Sequence, residues 1–346
     1  GGPPPRPRHA LPLGDRMDLL LHHFVALTAT ALVLGAVYAL VALGYTLVYG
    51  VLRLINFAND AIFVWGTFAA VWVLMAVGAG SGSHSVPTII GLLVLALACA
   101  MVTSAIVALV VERVAYRRLR RVNAPPLIPL ISAIGASFVL GEIMGLRDRI
   151  AGWVGLRDNL DAYVRNARDY TRFPNPVQSS GLFTVGDYTV TNIDLLILVS
   201  ALIMMLCLDQ FIQRSRLGRG IRAVAQDSES AALMGVNKDR VVEITFLLGG
   251  LMAGVAALLY LMRFGVTRWN GGFLIGIKSF AAAVLGGIGN VRGALLGGFV
   301  LGLAENYGSA LIGSEWRDVV SFVLLIAILL FRPTGLLGES LGRARA

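Results

Sequence analysis

Residues 214–240, RSRLGRGIRAVAQDSESAALMGVNKDR, run without a break into residues 241–262, VVEITFLLGGLMAGVAALLYLM. The first stretch interleaves charge with small residues. The second is apolar and long enough to cross the roughly 30 Å of a bilayer core as a helix. An organised basic segment fused to a span describes a polytopic membrane protein with a structured loop on one side. The rest of the chain repeats that alternation: 57% of its 346 residues are hydrophobic and 14% charged, with a mean hydropathy of +0.76. A soluble domain of this size needs far more polar surface. The expected fold class is therefore all-α, a polytopic integral membrane helix bundle of about eight or nine transmembrane helices with broken or Gly-interrupted segments.

The formal net charge of +9 does not read as nucleic-acid binding, because the basic residues stand in short clusters between apolar runs. The partner that this pattern names first is the lipid bilayer. Candidate spans are residues 24–50, 57–78, 86–111, 126–145, 193–213, 243–262, 273–290, 294–312 and 318–331, the seventh interrupted by Lys278 and by glycines. ERVAYRRLRR (112–121) carries five Arg after the third span, and residues 214–240 carry six Lys or Arg after the fifth. Both belong on the cytoplasmic side by the positive-inside rule. Carried outward, that parity puts Arg53, Arg292 and the tail from RPTGLLG inside, and the N-terminus outside. A re-entrant seventh segment would leave eight crossings and move the C-terminus outside, against Arg332, Arg343 and Arg345.

Residues 146–192, with six Arg and five Asp, fall outside, either as an irregular connection or as a surface for an external partner. The chain divides into residues 1–16, a disordered extension or remnant, a single membrane domain over 17–338, and a cytoplasmic tail over 339–346. The domain carries its external loop at 146–192 and its main cytoplasmic loop at 214–242.

Two polar interruptions carry the candidate chemistry. In LRLINFANDAIFVWGTF, Asn56, Asn59 and Asp60 open an apolar run. An ionised Asp60 at membrane depth would cost about 3 kcal/mol on insertion scales, so it either caps a helix at the interface or lines a wet cavity. Later in the chain, Gly286, Gly287 and Gly289 break an apolar run, with Lys278 and Glu305 near its ends. Polar or Gly interruptions in both halves of a chain point to a transport site built from broken helices. Lys278 and Glu305 could equally snorkel to the interfaces.

Catalytic readings fail. GGFLIGIKS (271–279) lacks the phosphate-loop spacing, since Ile277 separates Gly276 from Lys278. GASF (135–138) has no membrane-embedded His to serve as base. Cys99 and Cys207 read as small buried hydrophobes rather than disulfide partners. His9, His22, His23 and His84 all lie outside the apolar cores, and only His22 has a carboxylate, Asp18, at helical spacing, too few ligands for a zinc site.

Between Arg214 and Arg240 charged residues are interleaved with small apolar ones, and ESAALMGVNKDR (229–240) would form a short amphipathic helix ending at Gly235, a docking element if its apolar side is not buried in its own chain. Glu229, Ser230, Ala231, Ala232 and Gly235 approximate the E-A-A-x-x-x-G pattern of the coupling loop in ABC importer permeases, with Ser230 in place of the first Ala. Further strings agree in order: YALVALGYTLVYGVLRLINFAND (38–60), ERVAYRRLRR, LIPLISAIGAS (127–137), RLGRGIRAVAQDSESAALMGVNKDRV (216–241), SFAAAVLGGIGNVRGALLGGFVLGLAE (279–305) and DVVSFVLLIAILLFRPTGLLG (318–338). Together they resemble the branched-chain amino acid ABC transporter permeases of the LivH type, from about Leu32 to Leu337 and thinning only over 146–192.

The resemblance implies a translocation subunit in a bacterial inner membrane. It would pair with a second permease, a paralogue or an identical copy, and with two cytoplasmic ATPase subunits. A periplasmic or extracellular solute-binding protein would deliver the solute. Cofactors are implied only on the partners, as ATP and Mg on the ATPases, with Glu229 to Gly235 inserting into an ATPase cleft. Asp60 departs from the small or neutral residue expected after Asn59, which keeps urea or short-amide permeases beside branched-chain amino acids as substrate classes. A stand-alone secondary carrier using Asp60, Lys278 or Glu305 for ion coupling is the competing mechanism.

Overall fold

The computed structural model describes residues 23–338 apart from 80–84, 123, 126, 156 and 178. The proposed extension 1–16 and tail 339–346 lie outside the described residues.

Helix α1 (Phe24–Leu52) is the axis of the bundle. It is apolar on every side, and such a helix is stable only when surrounded. From Val33 to Val48 it is almost wholly buried. After it come α2 (Asn59–Ala76), α3 (Val86–Arg121, with a π-helical turn over Glu112–Arg117) and α4 (Leu127–Gly145). The next long helices are α7 (Asn192–Arg214), α10 (Lys238–Phe264) and α12 (Val291–Ile312). These seven are long and apolar enough to cross a membrane.

Two apolar helices, α11 (Gly272–Gly286) and α13 (Arg317–Phe331), have 15 residues each. At 1.5 Å per residue they extend only about 22 Å, short of the hydrocarbon thickness. Nine apolar helices stand where nine crossings were expected, but among the described residues two of them are not full-length, and the seventh, expected over 273–290, stops at Gly286.

Close approach of backbones sets the packing. Helix α12 lies against α1 where Gly298 meets Ala39, and a β-carbon at Gly298 would stand 2.6 Å from that of Ala39. Small residues of this kind let helices pack in lipid, where hydrophobicity gives no preference for a neighbouring helix over an acyl chain. Facing outward are apolar side chains such as Val94 and Ile106 on α3, Ile131 and Phe138 on α4, Ile203 on α7 and Val323 on α13. Cys99 is half-buried and Cys207 exposed on α7, which corrects their reading as core residues: Cys207 belongs to the outward-facing surface.

Contacts between helix ends sort into two sides. On one, His23 pairs with Asp187, and Arg263 stands 3.4 Å from Asp194. There too β1 (Thr171–Arg172) pairs antiparallel with β4 (Val266–Thr267). On the other side Arg120 meets Asp239 at 2.6 Å and Arg292 meets Asp209 at 2.9 Å. This division reproduces the parity read from the basic clusters.

The 146–192 segment is not an irregular connection. It holds α5 (Arg147–Trp153), α6 (Arg157–Val164), β1, and the hairpin β2 (Gly181–Val185) to β3 (Tyr188–Thr191). Arg147 organises it, with its guanidinium bonded to the carbonyls of Met144, Tyr163 and Ala167 and stacked 4.8 Å from the ring centroid of Phe68. Burial pushes its pKa down from the usual arginine range.

Candidate functional site

The first candidate cluster forms because α2 begins inside the bundle. Helix α1 ends at Arg53, which adopts left-handed backbone with φ 54°. Residues 54–58 then fold back along α1, so that the Asn59 side chain donates to the Val41 carbonyl at 3.4 Å, about 15 Å short of the α1 terminus. Asn56 and Asn59 are each 2% exposed and Asp60 8%. Asn56 Oδ1 accepts from the Ala58 N–H at 3.1 Å and shapes the turn.

Asp60 Oδ1 accepts from its neighbour Ala61 N–H at 2.6 Å and from Ser137 Oγ of α4 at 2.7 Å. A carboxylate in the first helical turn complements the dipole. On the opposite flank Gly276 of α11 packs so closely that a β-carbon there would stand 2.6 Å from that of Asp60 and 3.1 Å from Tyr45 Oη. Four helices, α1, α2, α4 and α11, thus converge on one carboxylate. Asp60 opens a helix, as the capping reading expected, but that opening is buried among packed helices.

Lys278 and Glu305 form a second cluster on the next face of α11. Both are buried, 6% and 1% exposed, and Lys278 Nζ donates to Glu305 Oε1 at 2.9 Å. Tyr38 Oη also donates to Oε1, at 3.3 Å, and Ser321 Oγ donates to Oε2 at 3.1 Å. Arg317 Nε lies 2.8 Å from Oε1 as an ion pair without hydrogen-bond alignment, and Asp318 takes Lys278 at 2.6 Å. The snorkelling reading is corrected, since each of the two charges has the other at hand and the cluster joins α1, α11, α12 and α13.

Gly286, Gly287 and Gly289 sit elsewhere, in the tight turn from α11 to α12. Gly287 and Gly289 have φ of 108° and 94°, backbone that a side chain would strain. The chain after α13 closes this turn: Leu336 and Leu337 N–H donate to the carbonyls of Leu285 and Gly286 at 2.8 and 2.9 Å, satisfying acceptors that a helix end leaves open. Asn290 Nδ2 in turn donates to the Leu337 carbonyl at 2.9 Å. RPTGLLG is therefore a cap on α11.

The loop between α7 and α10 holds α8 (Arg216–Gln226) and α9 (Ser228–Leu233). Asp227 caps α9, accepting from Ser230 Oγ at 2.5 Å and from the Glu229 and Ser230 N–H groups. The Ser230 hydroxyl, then these two N–H groups, hold its carboxyl below the usual range. Ala231 turns inward, while Leu233 and Met234 are 89% and 87% exposed. Gly235 ends the element in left-handed backbone, φ 83°, with open space around it. The short helix expected to end at Gly235 is α9, and α8 before it is a separate element that ends at Gln226.

The match to known proteins is extensive. The model of the family described as branched-chain amino acid transport system / permease component fits residues 27–329. The chain belongs to that family. Among its relatives, the high-affinity branched-chain amino acid transport system permease protein BraD of Pseudomonas aeruginosa is 39% identical over 324 residues, covering 92% of this chain and 97% of its own length. LivH of Escherichia coli strain K12 is 38% identical over 326 residues, covering 92% and 96%. A probable LivH from Methanocaldococcus jannaschii is 24% identical over 318 residues, covering 89% and 90%.

In this permease the sequence reading brought Asn56, Asn59 and Asp60 to one place and Lys278 and Glu305 to another, leaving the three glycines in a third. Four further polar residues complete the clusters and were not anticipated: Tyr45 and Ser137 beside Asp60, and Asp318 and Arg317, which partner Lys278 and Glu305. Their signal was present as polar groups at isolated positions in apolar helices, but partners on different helices share no sequence spacing.

Proposed function

We propose that the chain is the membrane-spanning permease subunit of an inner-membrane ABC importer for branched-chain amino acids. The observation that carries this is the 39% identity to BraD over nearly the full length of both chains. In this reading α8 and α9 form the coupling loop, with the exposed Leu233 and Met234 and the αL Gly235 presented to an ATPase subunit. ATP and Mg bind on two such ATPases, a second permease completes the pathway, and a solute-binding protein delivers from outside to the face built by residues 146–192. Asn56, Asn59 and Asp60 line the pathway at the buried start of α2. Lys278 and Glu305 clamp α11 to α12 and α13, and Gly286, Gly287 and Gly289 shape the inner turn.

Asp60 favours a solute carrying N–H donors, because a buried carboxylate flanked by the Ser137 and Tyr45 hydroxyls rewards an ammonium or amide group. Urea and short amides share that chemistry and form the second reading. The test is uptake of labelled leucine, isoleucine and valine into proteoliposomes holding the chain with its co-expressed partners, with urea and acetamide as competitors. ATP-dependent leucine uptake that excess urea leaves unchanged supports the branched-chain reading. Uptake by the chain alone, driven by an ion gradient, would instead establish a secondary carrier.

A further inference from the structure

The connection between α1 and α2 is held from outside itself. Arg53 reaches the Ala225 carbonyl at the end of α8, 3.5 Å away. Tyr116 Oη donates to the Ile55 carbonyl at 3.1 Å and stands 3.4 Å from Asn56 Oδ1. Asn56 opens the turn that delivers Asn59 and Asp60 to the interior. One phenol hydroxyl therefore grips the elbow from which α2 starts.

Tyr116 belongs to the π-helical turn of α3, Glu112–Arg117. A π turn inserts an extra residue into the helix and re-aims the side chains on it, and such turns concentrate at functional places. Its ring is buried 5.2 Å from that of Phe246 on α10. Around it, α3 and the start of α10 are tied by charge. Arg117 meets Glu243 at 2.9 Å, Arg120 bridges Glu112 at 3.2 Å and Asp239 at 2.6 Å, and Arg121 meets Asp239 at 3.1 Å. Glu112 is fully buried and its second oxygen has no partner, so Arg120 is what makes that carboxylate tolerable. Helix α10 itself starts at the Asn237 cap, two residues after Gly235.

We propose that Tyr116 is a positioning residue that transmits movement of the 227–236 loop to the buried opening of α2. Displacement of α9 carries the first turn of α10, the ion pairs carry the π turn with it, and the Tyr116 hydroxyl carries Ile55 and Asn56. Asn59 and Asp60 then follow as one rigid end. The proposal rests on the importer reading above and assigns the residues through which that reading works.

Tyr116→Phe keeps the ring against Phe246 and removes only the grip. The test uses the complete importer in proteoliposomes, with Cys99 and Cys207 replaced by Ala and Leu54→Cys as the reporter in the elbow. Two quantities are read, solute taken up per ATP hydrolysed and the change in thiol reactivity at position 54 between nucleotide-free and ATP–vanadate states. Removing the hydroxyl is expected to lower uptake per ATP about five-fold, the weight of one hydrogen bond, and to abolish the nucleotide-dependent reactivity change. A merely structural role would lower the amount of complex and leave both quantities alone.

An unchanged ratio, or a retained reactivity change, overturns the proposal. Should Tyr116→Phe fail to assemble, Glu112→Gln with Arg120→Gln loosens the same path without stranding a buried charge and is judged by the same two readings. A complex carrying only the reporter background that shows no ATP-dependent uptake overturns the importer reading and this proposal together. Normal coupling in both background and variant removes only the role of Tyr116.

Discussion

At the residue scale, buried charge separates two roles. Glu305 accepts from or pairs with four side chains, and removing it leaves the buried Lys278 only the half-exposed Asp318, with Arg317 unanswered. Glu305→Ala should therefore destabilise the protein by about 3–5 kcal/mol, read as the unfolding midpoint in detergent. Lys278→Met combined with Glu305→Leu should stand closer to the parent than either single change, because Arg317 and Asp318 are partly exposed and retain access to water. Equal loss in the double variant would mean that the cluster acts as one unit with those outer charges. Asp60 is different, since among the described residues its carboxylate accepts from a neighbouring N–H and one hydroxyl and has no ion-pair partner. Asp60→Asn keeps shape and burial, and is expected to lower uptake with little change in unfolding midpoint. The reverse pattern, lower stability with normal uptake per complex, would place Asp60 in the scaffold.

At the element scale, helix crossings and the short α9 carry the testable content. Gly298→Val inserts a branched side chain where even a methyl would touch Ala39, and the α1–α12 crossing should lose about 1–3 kcal/mol. A midpoint unchanged from the parent would show that α12 can slide without cost. Deleting residues 228–236 removes α9 and its glycine stop while leaving every long helix intact. The variant should insert normally yet fail to retain the ATPase on purification, and full retention would remove α9 from the docking role. For the Asp227 cap the sign of the pH effect follows from its depressed carboxyl. Its contribution is present above the unfolded carboxylate value and is lost only as pH falls through the lower folded value, so α9 is capped throughout the neutral range.

At the scale of the whole molecule, the nine passes divide the surface into two polar ends and an apolar flank. The hairpin β2–β3 and the 214–240 loop lie at opposite ends. Single cysteines at Asp187 and at Gln226, in a background without Cys99 and Cys207, should react with impermeant thiol reagents from opposite sides of sealed vesicles. Reaction from one side would overturn the parity. Among the described residues the fold was legible in outline: apolar runs located the long helices to within about five residues, except that α3 continues ten residues past the expected end at 111 to Arg121. Helix α10 shows the limit, beginning at Lys238 rather than at residue 243 because Asn237 caps it and Arg120 and Arg121 neutralise Asp239.

What the sequence determined by itself was the kind of protein, because spans are written in local composition. The coupling-loop pattern was equally local, a cap, a short helix and a glycine. Only the tertiary structure decided that α2 starts in the interior, that Lys278 answers Glu305 across 27 positions, and that Tyr116 reaches Ile55. Only it could turn Cys207 outward while Ala201 and Leu208 on the same helix are buried. The reason is physical: a lipid-facing side chain and a core side chain are equally apolar, so hydrophobicity marks membrane depth without marking neighbours. Which face meets protein is settled by the fit of backbones at glycines and by polar partners that meet only after the helices have packed.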